Sequence, residues 1–297
     1  MGVAVAFFVL LVLVVASAMV WQHRRYLVTR RDAIQDRQPM LYSRGAFHVL
    51  YFAATAPGAD AIEAVRAFRR AQGDFAGDWI YAGKGVVTPR SSAQLEPADW
   101  SAIVLVQYPS RAAFDEHARS DAMAEARSRF DAFYAHGFER SQFVNLLIPQ
   151  ALLAFRTRQV VTGAPSNFPF EPAADLERGP QAAEIASRLV DAKEFGERAI
   201  VVVNLIKAGN SEQRAADRAY TSTMLGAMAE GAYGPVHMGR SVTVEGNADF
   251  GTVGMVYYPG VQFFADMARS EFFQSIVGGK QLGDTQVTIT VPILDRL

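Results

Sequence analysis

An α+β fold, in which an N-terminal membrane helix carries two copies of one βαββαβ unit, is what this sequence predicts. Three observations lead there: an uncharged apolar stretch near the start, an order of strand and helix signals that occurs twice, and a match between the two halves at one constant offset. At 297 residues each half is long enough to bury a core of its own.

The apolar stretch runs from Val3 to Trp21 without a charge, with Phe7 to Val15 unbroken. About 20 helical residues cross the roughly 30 Å hydrocarbon core of a bilayer, so the length fits a single crossing. Ala16-Ser17-Ala18 has the small-x-small look of a signal-peptide cleavage site, which is the competing reading. Against it, no Lys or Arg precedes the stretch, whereas Arg24, Arg25, Arg30 and Arg31 follow it. That asymmetry predicts a retained single-pass anchor in the cell membrane with the body on the cytoplasmic side. Residues 1–22 are assigned to the span, with residues 3–21 in contact with the bilayer and Trp21 and Tyr26 at the interface. Residues 23–44 form a juxtamembrane segment, a helix extension or linker whose arginines are solvated or rest against anionic lipid.

The first unit is expected over 45–150. Phe47 to Phe52 reads as a buried strand, and Ile62, Val65 and Phe68 mark a helix among charged residues. Trp79 to Val87 is a second strand, in which Gly83 and Gly85 ease a bulge or a close backbone approach. Trp100 to Tyr108 is a third. Ser110 caps a second helix with Phe114, Ala118, Phe130 and Phe133 on its inner face, and Phe143 to Ile148 supplies the fourth strand. A proline-rich connection and a short helix, Gln181 to Lys193, occupy 151–197. The second unit, 198–297, repeats the order: strand Ile200 to Ile206, helix Ala215 to Met228, strands Val236 to Val244 and Phe250 to Tyr258, a helix over Phe263 to Ile276, and strand Gln286 to Val291.

The halves also align residue by residue. Tyr108-Pro109-Ser110 matches Tyr258-Pro259-Gly260, Phe114 matches Phe264, and Ala118-Arg119-Ser120 matches Ala268-Arg269-Ser270. Repeats fix a fold more firmly than propensities do. A βαββαβ unit is the ferredoxin-like arrangement, with both helices on one face of an antiparallel sheet. Two such units pair the other faces, which gives an intrachain pseudo-dimeric α/β barrel.

Composition excludes several chemistries. A formal net charge of −1 argues against a nucleic-acid partner. The absence of cysteine removes disulfides, thiolate metal sites and cysteine nucleophiles. The five histidines, at 23, 48, 117, 136 and 237, lack the spacing of a metal site. Gly83-Lys84-Gly85 is too short for a phosphate loop, and no G-x-S-x-G elbow occurs. No cofactor is expected.

The run Asp99 to Phe114 resembles the strand-to-helix signature of an uncharacterised-domain family in the dimeric α/β-barrel superfamily. So do Val202 to Lys207, Tyr220, Val244-Glu245-Gly246 and Tyr258-Pro259 in the second half. One aromatic common in that family is Met123 in the first unit, while Phe273 holds the place in the second. Related families include haem-degrading and quinone-forming monooxygenases and lactone isomerases. The haem-degrading group pairs an asparagine on strand one with a histidine on helix two. Here Asn204 faces a helix bearing Met267, and His117 faces a strand bearing Tyr51, so neither unit holds both.

The candidate cleft residues are therefore Asn204, Tyr220, His237 and Arg240 in the second unit, and His117 and Tyr51 in the first. Tyr108 and Tyr258 close the two third strands. Each has a plainer role in packing or solvation. Two functions follow as expectations. One is a membrane-tethered module binding a partner protein or small lipophilic ligand. The other is a cofactor-independent monooxygenase or isomerase acting on a lipophilic aromatic or quinone-like compound.

Overall fold

The structure, a computed structural model, describes residues 2–36, 39–73, 77–97, 99–173, 198–280 and 282–297. The chain opens with α1, Gly2–His23, continues through a π-helical turn, Arg24–Val28, and ends this first rod with α2, Thr29–Ile34. The rod is long and apolar enough to cross a membrane, and none of its most apolar window is buried against the body.

The first half then contains β1 (Phe47–Ala54), α3 (Ala61–Gln72), β2 (Asp78–Arg90), β3 (Ala102–Tyr108), α4 (Arg111–Ala118), α5 (Asp121–Arg127) and β4 (Ala132–Glu139). After α6 (Val144–Thr162), the second half contains β5 (Ile200–Ile206), α7 (Ser211–Glu230), β6 (Gly234–Thr243), β7 (Thr252–Tyr258), α8 (Val261–Arg269), α9 (Glu271–Ile276) and β8 (Gln286–Pro292). The eight strands close into a barrel in the order β1-β3-β2-β8-β5-β7-β6-β4. Every neighbouring pair is antiparallel, and the two halves are joined along β2–β8 and β4–β6. Closure leaves no unpaired edge, which removes the usual route to edge-to-edge aggregation.

Local signals explain the helix starts. Ser110 accepts from the Ala113 amide at 3.1 Å to open α4, and Ser120 and Ser270 open α5 and α9 in the same way. Asn210 and Gln213 form a reciprocal capping box at the start of α7. Gly85 permits the close approach of β2 to β3, since a Cβ there would lie 1.9 Å from the Trp100 carbonyl oxygen.

Three expectations need correction. The fourth strand of the first half is Ala132–Glu139, so Phe133 belongs to a strand, and the second helix breaks at Arg119 and Ser120 and ends at Arg127. The run Phe143 to Ile148 lies at the start of a long helix instead. A short apolar run does not distinguish strand from helix by period, and here the pattern continues to Thr162.

The segment after α1 extends that helix to Ile34, as one of the two expected alternatives, but it packs on the body. Tyr26, Leu27, Arg30, Ile34 and Asp36 are buried. Arg30 donates to the Ala232 and Tyr233 carbonyls at 3.2 and 3.1 Å, so it is held by the body rather than by lipid or water. Asp36 pairs with His237 at 2.6 Å, both side chains fully buried. Finally, residues 163–173 pack on the second half, where Phe168 and Phe170 stack with Phe263 and Phe272. The helix expected over Gln181 to Lys193 lies outside the described residues.

The junction between α1 and α6 has a specific cause. Pro149 lies inside α6 and has no N–H to give the carbonyl four residues back, that of Asn145. His23 Nδ1, at the end of α1, donates to that carbonyl at 3.0 Å. Its Nε2 in turn accepts from Arg31 at 2.8 Å. Gln150 Nε2 adds a bond to the Met19 carbonyl at 3.1 Å. The two helices thus run antiparallel at this point, and α1 is seated on the body at a fixed place.

Candidate functional site

Strand alternation divides the candidates between two faces of the barrel wall. On β5, Val202 and Asn204 turn outward towards α6 and α7, where a cavity of about 340 Å³ opens. Its floor is Val202, Asn204, Gly254, Val256 and Tyr258, and its helical walls include Ile148 and Leu152 from α6 and Tyr220, Met224 and Met228 from α7. Three residues that line it are also exposed, Ala151, Thr221 and Met238, and these mark its mouth.

The register explains why this cavity is larger than the space at the matching position of the first half. Asn204 lies opposite Gly254 in β5–β7, whereas the matching positions of β1–β3 hold Tyr51 opposite Val104. A Cβ at Gly254 would meet nothing within 4 Å. In the first half the equivalent space is reduced to about 220 Å³ beside Tyr51, Phe114, Met123 and Phe133.

Few polar groups face the larger cavity. Asn204 Nδ2 donates to the Val202 and Gly254 carbonyls at 3.2 and 3.1 Å. The amide cannot be turned round, because Oδ1 would then oppose two acceptors. Oδ1 is therefore the atom presented to the cavity. The hydroxyls of Tyr220 and Tyr258 make no hydrogen bond among the described residues, and burial raises the pKa of each, with Asp217 adding to the rise at Tyr220 and Tyr220 and Tyr233 adding to it at Tyr258. Both stay protonated and available as donors. Asp217 and Lys280 complete the lining. Burial lowers the Lys280 amine against the pull of Asp217, and burial raises the Asp217 carboxyl against the pull of Lys280.

The remaining candidates lie elsewhere. A bulge between Pro235 and His237 puts Pro235 and Met238 on the cavity side and turns His237 into the barrel. There His237 meets Asp36 and Arg140, so it does not reach Asn204 or Tyr220. Arg240 is exposed and pairs with Glu139 across the β4–β6 seam. His117, Tyr51 and Tyr108 belong to the first half, where the two phenols are 2.6 Å apart and Tyr108 is 2.8 Å from His117 Nδ1. All five histidines are buried. No group of three or more metal-ligating side chains occurs among the described residues.

Of the candidates read from the sequence, Asn204, Tyr220 and Tyr258 line this cavity; Gly254, Asp217 and Lys280 line it too and were not among the candidates. Gly254 was legible, because aligning the halves sets it against Val104. The other two come from a helix and a loop that only the fold brings together.

No family model and no curated relative matches the sequence. Among solved structures, an anthrone oxidase-like protein is similar with a TM-score of 0.47 at 8% identity, over 84% of this chain and 92% of its own. A chlorite dismutase mutant from Candidatus Nitrospira defluvii gives 0.44 at 10% identity, over 87% and 96%. A Rhodopseudomonas palustris protein of unknown function reaches 22% identity over 38% of this chain and 89% of its own, with a TM-score of 0.23. No residue role is carried from them to this chain. The residues that line the cavity include no histidine.

Proposed function

We propose that this chain is a membrane-anchored, intrachain pseudo-dimer of two ferredoxin-like units whose second unit binds a small lipophilic phenol, hydroquinone or quinone-like compound. Support for the duplication is the strand order β4-β1-β3-β2 in one half and β8-β5-β7-β6 in the other, joined by symmetric seams. Support for the anchor is α1, and its arginine flank favours a cytoplasmic body.

The observation that carries the ligand reading is Gly254. A glycine inside a strand is less stable than alanine by about 0.5–1 kcal/mol, and here a side chain would meet no neighbour. Packing alone gives no reason for the gap; a ligand does. At about 340 Å³ the space is at the lower end of ligand pockets, which run from about 300 to 1,000 Å³. Its mostly apolar wall suits one or two fused rings. Asn204 Oδ1 accepts from a ligand hydroxyl, while Tyr220 and Tyr258 donate to its oxygen.

The test is a titration of the full-length protein in detergent with 1-naphthol, followed by the probe's fluorescence. Saturable binding weakened about tenfold or more in Asn204→Leu, equivalent to about 1.4 kcal/mol, supports the reading. Equal affinity in the two proteins contradicts it.

A second reading, a cofactor-independent monooxygenase or isomerase, is favoured by Lys280. An amine with a lowered pKa in an apolar pocket is a suitable base for removing a proton from a phenol or an activated methylene. In the oxygenase case dioxygen converts the methylene to a carbonyl: both carbon–hydrogen bonds break, one oxygen atom becomes the carbonyl oxygen, and the other leaves with the two protons as water. The substrate supplies all four electrons, so no outside reductant is needed. Oxygen uptake with anthrone that is lost in Lys280→Gln is the expected result for this reading. No uptake above the buffer rate removes it and leaves the binding reading in place.

A further inference from the structure

The exposed face of α6 has an apolar stripe that the fold does not use. Phe143, Leu147, Ala154 and Val161 recur at intervals of four and seven, which places them on one side of the helix, and all are exposed. Phe143, Leu147 and Val161 are 50, 52 and 79% exposed. The opposite side, through Ile148 and Leu152, forms the cavity wall. Ala151 lies between the two faces, exposed yet lining the cavity.

We propose that this stripe is seated in the lipid interface, so that the cavity's mouth at Ala151 opens at the level of the membrane surface and takes its ligand from the bilayer. The inference rests on the reading of α1 as an anchor. Three observations name lipid as the occupant. Gln150, next to Ala151, is bonded to the carbonyl of Met19, where the apolar run of α1 ends, so the mouth is level with the end of the span. The antiparallel seating of α6 on α1 sends its C-terminal half, with Val161, back towards the membrane. From Ser141 to Phe170 there is no Asp or Glu; Arg156 is paired with Glu230 of α7, and Arg158 is exposed, a charge that suits an anionic headgroup layer.

The absence of cysteine makes single-site labelling direct. Leu147→Cys and Val161→Cys are labelled with bimane in the full chain, reconstituted in vesicles of phosphatidylcholine and phosphatidylglycerol. Phe8→Cys reports the anchor, and Thr223→Cys, on the exposed side of α7, reports water. The proposal expects blue-shifted emission at 147 and 161, quenched by acyl-chain-brominated lipid and shielded from iodide, as at 8 and opposite to 223. Water-like behaviour at 147 and 161 with a lipid-like signal at 8 overturns this inference and leaves the anchor standing. A water-like signal at 8 as well overturns both.

Discussion

Asn204 on β5 and Gly254 on β7 face each other across one register position, and together they open the floor of the largest apolar cavity described in the second half. Their counterparts, Tyr51 and Val104, fill the same place in the first half. The space left beside Tyr51 is about 220 Å³, against about 340 Å³ beside Asn204. The stability consequence is direct. Gly254→Ala is expected to raise unfolding free energy by about 0.5–1 kcal/mol, read from urea denaturation in detergent.

His237 and Asp36 make the segment that follows α1 and α2 part of the folded body. Breaking a buried pair from one side leaves a charge or donor without its partner and costs about 3–5 kcal/mol. Asp36→Ala should lose about that much, measured as a shift of the urea midpoint with unchanged slope. A loss below about 1 kcal/mol would mean that the segment is a loose tether after all.

Acid should unfold the protein early. Burial lowers His136 to about 4 and holds His48 well below its ordinary 6.5. Between those values the unfolded chain binds protons that the folded chain refuses, so stability falls as pH drops from about 6.5 towards 4. Each such histidine contributes about 1.4 kcal/mol per pH unit. Replacing His136 by Gln removes one of these contributions, and the measured slope of stability against pH should flatten by that amount.

Tyr108 joins Tyr51 to His117 in a buried hydrogen-bonded chain that is separate from the cavity. Tyr108→Phe removes the hydroxyl that both Tyr51 and His117 meet and should cost about 1–3 kcal/mol. Affinity for 1-naphthol should not change. A change in affinity would show that the first half takes part in binding.

Much of the fold was legible because it rests on patterns of period two, on serine caps and on a repeat that the Tyr-Pro corners mark. The misplaced fourth strand shows the limit. Ala132 to Glu139 has Gly137 inside it and aromatics at Phe130, Phe133 and Phe138 that suggest a helix face, while the truly helical Phe143 to Ile148 is a dense apolar run. Only pairing with β1 and β6 decides between them. For the site, Asn204 and Tyr220 were visible as polar residues on apolar elements. The face occupied by His237 was not, because a bulge changes strand parity without leaving a mark in the sequence.

The pocket is tested most directly by filling it. A leucine at Gly254 has room to enter the cavity and no neighbour to displace at its Cβ, so Gly254→Leu should fold as the parent does and lose saturable 1-naphthol binding. A folded Gly254→Leu protein that binds 1-naphthol as tightly as the parent would contradict the assignment of this cavity as the ligand site.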